Sequence, residues 1–196
     1  MTFRKKLGKI LFKNRSYTPI PFVIFMVIFQ NATLLSIFIG LTIVVIGELF
    51  RYWGVVYAGS ATRTTSGVGA NQLIVSGAFA HLRNPLYLGN ILIYLGVGIM
   101  SMALFPYLQI VALAFFTFQY YFIIAEEEEF LLKTFGKKYE AYKVEVPKLI
   151  PRISAYESVD TKNQPLKLKA GLKSERRTLQ AIVIISLIII LIFIFS

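Results

Sequence analysis

The sequence predicts an all-α integral membrane protein with about five transmembrane helices, a central helical hairpin and a cytoplasmic amphipathic helix. Three observations lead there. Of 196 residues, 56% are hydrophobic and 16% charged, against about 45–50% and about 25% in soluble domains. The apolar residues are gathered into runs, each approaching the roughly 20 residues that cross a hydrocarbon core as a helix. The charges flank these runs unevenly, with 21 Lys and Arg against 10 Asp and Glu and a formal net charge of +11.

The first run, 17–32, is the weakest. Pro19 and Pro21 open it and Gln30 and Asn31 close it, so it reads as a short span or as half of a tight hairpin with the next helix. Arg4, Lys5, Lys6 and Lys9 precede it as they would a signal peptide, but no small-x-small cleavage pattern follows, so a retained helix is expected. The second run, 34–56, is interrupted only by Glu48 and Arg51. Runs 86–105 and 107–125 carry no charge and meet at Phe105 and Pro106, a connection short enough to force an antiparallel hairpin. Gly89 and Gly96 share a face of the third helix, and Gly98 and Ser101 add small side chains, which permits close helix contact in lipid. The last run, 179–195, is rich in Ile. Before it, 154–178 is polar and basic, with Pro165 and Gly171, and reads as a tether drawn to anionic headgroups. The organisation expected is a membrane core over 1–152, a basic cytoplasmic linker over 153–178 and a C-terminal transmembrane helix over 179–196.

Orientation follows from the basic residues. They cluster before the first run (Arg4 to Arg15), at Arg51, Arg63 and Arg83, after the fourth run (Lys133 to Arg152) and before the fifth (Lys162 to Arg177). The opposite loops, 31–33 and 101–106, carry none. The positive-inside rule then puts the N-terminus in the cytoplasm and the C-terminus on the other side. Anionic lipid headgroups are the partners this charge implies. Nucleic acid is not, because the charges are spread over membrane-flanking segments rather than gathered into one patch. The chain has no Cys, which removes thiol nucleophiles and thiolate metal sites, and no metal-ligand spacing is present. Nothing in the sequence fixes an oligomeric state.

Two charged-side stretches hold more specific chemistry than topology needs. The first, 74–89, enters the third helix through Asn84, a good capping residue, and Pro85, favoured in a first helical turn. Amides at a helix start suit an anion, Arg83 stands beside them, and Tyr87 and Gly89 follow one turn in. The second begins with Glu126, Glu127, Glu128 and Glu129 at the end of the fourth helix. Adjacent helical side chains diverge by about 100°, so at most two of the four face one site. Phe130, Leu131, Phe135, Tyr139 and Tyr142 form a stripe expected on a helix at the membrane surface. Together the stretches offer an arginine and amides for an anion, with carboxylates and aromatic rings for a cation. A zwitterion bearing a permanent positive charge would use both. The single histidine, His81, is expected to be interfacial rather than catalytic.

At these residues the chain resembles the isoprenylcysteine carboxyl methyltransferase family, within the wider group that includes phospholipid methyltransferases. The first half of the likeness is Ile74, Val75, Gly77, Phe79, Arg83, Asn84, Pro85, Tyr87 and Gly89. The second is Glu127, Glu128, Leu131, Phe135, Gly136, Tyr139, Tyr142, Val146 and Pro147. Asn84 stands where that family has His and Ala78 where it has Pro. No Arg occurs in 118–125, so a substrate carboxylate lacks an evident partner there. The resemblance implies S-adenosyl-L-methionine as cofactor and a membrane lipid or lipophilic small molecule as methyl acceptor. It implies Glu127, Glu128 and Arg83 as catalytic residues. Asn84, Pro85, Tyr87, Gly89, Tyr139 and Tyr142 would bind the cofactor. Two other readings remain open at this point: an NADPH-dependent reductase of sterol or isoprenoid lipids, and a non-catalytic membrane protein of the same fold.

Overall fold

The computed structural model describes residues 3–59, 72–158, 161 and 164–195; Arg63 and Lys162, counted above among the basic flanks, lie outside them. Among the described residues the chain forms α-helices α1 (Phe3–Asn14), α2 (Pro19–Ile28), α3 (Leu34–Ala58), α4 (Pro85–Ser101), α5 (Tyr107–Phe135), α6 (Lys137–Glu145) and α7 (Leu168–Phe195), with a short 3₁₀ turn at Gly77–Ala80. Helices α3, α5 and α7 are long and apolar enough to cross a membrane, and α2 and α4 are shorter apolar helices. The protein is an all-α integral membrane protein.

Helix α4 has 17 residues, about 25 Å at 1.5 Å per residue, and lies antiparallel against α3. Glycines set the separation. A Cβ on Gly47 would sit 2.8 Å from the Gly89 carbonyl oxygen, and one on Gly96 2.7 Å from that of Gly40. The shared face of Gly89 and Gly96, which their spacing predicts, is therefore the face in contact with α3. Lipid offers no hydrophobic drive for helix association, so such backbone approach supplies the dispersion energy. At the charge-free end Thr33 and Ser36 form a reciprocal capping box, and Asn31 donates its amide to the Ser101 carbonyl at 2.8 Å. Gln109 closes the α4–α5 hairpin by donating to Gly98 O and Ala103 O at 2.8 and 3.1 Å.

The 17–32 run becomes α2, 10 residues long and too short to cross alone. The polar N-terminal stretch, for which the sequence carries no apolar signal, is the helix α1 lying along the charged end of α5. Gly8 packs on Glu126 and Phe122 there, and Lys5 bonds Glu129 at 2.6 Å. Two expectations are corrected. The described residues of 154–178 are not a loose tether: Tyr156 N donates to Ala80 O at 2.9 Å, Gln164 is buried, and α7 already begins at Leu168. The inner face of α6, Tyr139 and Tyr142 with Val146, does not lie on the membrane; it packs inward on Leu73, Val75, Leu131, Phe135 and Tyr156.

Candidate active site

The charged end is organised by the loop entering α4. Gln164 accepts from the amides of Val75 and Ser76 at 3.0 and 3.1 Å and donates to Leu73 O at 2.6 Å, which pins the loop to the segment before α7. His81 donates from Nδ1 to Arg152 O at 2.9 Å, with its ring beside Trp53. Its setting is that of a packed loop residue.

Arg83 follows. Its amide donates to Pro147 O at 2.9 Å, and its guanidinium reaches Glu128 Oε1 through Nε at 3.1 Å and Nη2 at 2.9 Å. Its Nη1 donates to Lys143 O at 2.7 Å and to Val146 O. Arg83 and Glu128 side chains are each 9% exposed. Lys143 and Lys148 stand 3.7 and 3.8 Å from the other Glu128 oxygen. Arg83 is thus committed to the protein, where the sequence suggested an arginine available to an anion. Asn84 is likewise corrected: it makes no side-chain cap on α4 and instead donates to Lys148 O at 3.0 Å.

One turn into α4, Tyr87 donates its hydroxyl to Glu127 Oε1 at 2.6 Å and lays its ring 4.7 Å from that of Tyr120. A cavity of about 500 Å³ opens here, lined by Arg83, Asn84, Pro85, Tyr87, Glu127, Glu128, Tyr139 and Tyr142 among others. Gly89 is not among its walls: it faces α3, against Gly47 O and the Arg51 side chain. The four consecutive glutamates divide their work. Glu127 and Glu128 face the cavity, Glu126 abuts Gly8, and Glu129 pairs with Lys5 and Lys133 at 2.6 and 2.7 Å. Mutual repulsion is relieved because three of these carboxylates meet different residues. Tyr142 donates to Phe79 O at 2.7 Å. Burial first, and then the Glu128 charge, holds the Tyr139 hydroxyl above the usual tyrosine range; burial, with Tyr139 beside it, does the same for Tyr142.

The deep end of the cavity was missed by reading motifs. Arg51 donates through Nη2 to both Glu175 oxygens at 2.9 Å, through Nη1 to Asn90 Oδ1, and to Thr178 Oγ1 at 3.3 Å. Tyr94 and Tyr120 complete this end. A signal existed: Glu48 and Arg51 interrupt an apolar run, and ionisable residues at such positions mark functional interiors. Among the described residues no group of three or more His, Cys, Asp or Glu could hold a metal ion.

A half-open cavity lined by carboxylates and aromatic rings, at the charged end of a membrane helical bundle, defines a membrane protein with a cavity of small-molecule size. The family model of phospholipid methyltransferases matches residues 35–138, just over half of the chain, and the chain belongs to that family, a class of membrane methyltransferases. The likeness read from the motifs holds at this broader level, and the match does not single out the isoprenylcysteine branch. The chain is 32% identical over 123 residues to the cobalt-zinc-cadmium resistance protein CzcN of Cupriavidus metallidurans, covering 63% of this chain and 51% of that protein. It is 29% identical over 132 residues to the nickel-cobalt-cadmium resistance protein NccN of Alcaligenes xylosoxydans xylosoxydans, covering 67% and 56%. The chain therefore spans about half the length of both relatives. No solved structure matches.

Proposed function

We propose that this chain transfers a methyl group from S-adenosyl-L-methionine to a lipid or isoprenoid-type acceptor that enters from the bilayer at the cytoplasmic face. The observation that carries the reading is the single cavity shared by Tyr87, Glu127, Glu128, Tyr139 and Tyr142, residues drawn from α4, α5 and α6. Its volume of about 500 Å³ falls in the roughly 300–1,000 Å³ range of small-molecule sites. Its donors and acceptors suit the cofactor. The Glu127 carboxylate and the faces of Tyr87 and Tyr120 attract a cation by Coulomb and cation–π terms, which strengthen out of water.

When bound, the cofactor supplies an electrophilic methyl group on a sulfonium. The chain's part is to align the acceptor with that methyl, exclude water, and handle one proton. An amine acceptor must lose a proton to expose its lone pair. We assign that role to Glu127, which faces the cavity beside Arg15 with its Oε1 accepting from Tyr87, whereas Glu128 is engaged by Arg83. With that proton removed, the acceptor's lone pair would be free to take the methyl group that the cofactor would supply, the displaced electron pair staying on the cofactor's sulfur. Arg83 keeps Glu128 and the end of α6 in place, and so acts as a positioning residue.

Calorimetric titration of the purified protein with S-adenosyl-L-methionine, and separately with NADPH, tests the reading. Binding of the first alone is expected. Binding of NADPH alone would turn the assignment to a reductase, and binding of neither would leave the cavity without a cofactor role. Glu127→Gln should retain the fold and lower turnover about 100-fold or more, the usual worth of a positioned base.

A further inference from the structure

We infer that Glu175 of α7 is a positioning residue for the cavity, holding Arg51 against Asn90 and, through Asn90, Tyr120 and Tyr87, fixing the Glu127 carboxylate. What the cavity binds rests on the methyltransferase reading; the side-chain chain itself does not.

Helix α7 lies wholly outside the matched stretch 35–138, yet Glu175 on it is 1% exposed and reaches Arg51, itself 8% exposed. Burying such a pair yields little net stability, because desolvation offsets the attraction. Its presence calls for a reason other than holding helices together.

The chemistry of each link is one-directional. Guanidinium has donors only, so Asn90 must turn its carbonyl oxygen toward Arg51 and its NH₂ group away. Asn90 stands one turn from Tyr87 and one from Tyr94 on α4, and all three line the cavity together with Tyr120. Tyr120 is 2% exposed, and its ring lies 4.7 Å from Tyr87, tilted by 31°. Tyr87 in turn donates to Glu127 at 2.6 Å. Without Glu175, the guanidinium edge that faces Asn90 is held only by the longer contacts to Thr178 at 3.3 Å and, at Nε, Glu48 at 3.7 Å, and the Asn90 amide is held less firmly. Gly89 belongs to the same device. A Cβ there would strike Arg51 Cγ and Gly47 O, so glycine leaves the passage through which Arg51 crosses from α3 to Asn90.

The test uses the full chain with a fluorotyrosine at position 120, read by fluorine NMR without ligand, beside calorimetric binding of S-adenosyl-L-methionine. Glu175→Gln should shift or broaden the position-120 resonance and weaken binding about tenfold, equivalent to a coupling of about 1.4 kcal/mol. Ile189→Ala is the control, since Ile189 packs α7 into the core at the charge-free half. It should lower the unfolding temperature while leaving resonance and affinity as in the parent. Should Glu175→Gln fail to fold, Glu175→Asp, which keeps the charge and withdraws it by one methylene, should shift the resonance in the same sense. An unmoved resonance in the Glu175 variant that folds overturns the inference. So does an equal response from Ile189→Ala, because α7 would then act only by packing. If the parent protein binds no S-adenosyl-L-methionine, the methyltransferase reading falls, and the NMR arm alone decides the positioning role.

Discussion

Arg83→Ala should be among the most damaging single substitutions at the charged end, and the loss can be worked from its contacts. The side chain makes two hydrogen bonds to Glu128 and caps the carbonyls of Lys143 and Val146 at the end of α6. Removing one partner of a buried pair costs about 3–5 kcal/mol, because the remaining charge is left uncompensated. Part of this is recovered. Lys143 and Lys148 already stand 3.7 and 3.8 Å from Glu128 and, at 44% and 35% exposure, can swing closer. The expected net loss is about 3 kcal/mol, or roughly 6–12 °C in unfolding temperature for a chain of this size. Thermal unfolding in one fixed detergent, followed by the Trp53 fluorescence, measures it. Arg83→Lys keeps the charge but loses the fork, and should fall between the two. A loss under about 1 kcal/mol for Arg83→Ala would show that Glu128 is paired by its lysines and that Arg83 does not hold α6.

Other expectations follow from the same contacts. Gly47→Leu drives a side chain into Gly89 O and Leu92 and should destabilise by about 1–3 kcal/mol or more through overpacking, measured in the same unfolding assay. Lys5→Ala removes a pair whose side chains are 39% and 36% exposed, so the unfolding temperature is expected to stay essentially that of the parent. Tyr139 and Tyr142 are held above the usual tyrosine value when folded, by burial. They therefore stay protonated where the unfolded chain, titrating at about 10, has lost its protons. Their contribution is complete below about pH 10 and declines above it, so a Tyr139→Phe and Tyr142→Phe double variant should show a shallower alkaline loss of stability.

What was legible in the sequence is what local patterns encode. Run lengths give α3, α4 and α5, the absence of a spacer gives the hairpin, and the glycine spacing gives α4 a face for close helix contact, which α3 occupies. The divergence of adjacent helical side chains anticipated that two of four glutamates share a site, and Glu127 and Glu128 do. Partnerships were harder to see. Asn84 has the residue type of a cap, but Lys148 O lies within reach and takes its donor. Arg83 looked available because its consumers, Glu128 and two carbonyls, come from α5 and the end of α6. The Arg51–Glu175 pair joins residues 124 positions apart, beyond any local period. Helix α7 starts in basic sequence that hydropathy counts as a linker; its early turns are held by Lys167 N donating to Val56 O at 2.6 Å and by Gly171 on Val56.

The central claim is methyl transfer within the cavity that joins Tyr87 to Glu127 and Glu128. The most direct measurement supplies the purified protein, in vesicles of total lipid extract, with S-adenosyl-L-methionine labelled in its methyl group, and follows the label into the lipid fraction by mass analysis. The account predicts a labelled lipid with the parent chain and a signal reduced about 100-fold or more with Glu127→Gln. A lipid fraction without label, or one labelled equally by the Glu127→Gln variant, would contradict it.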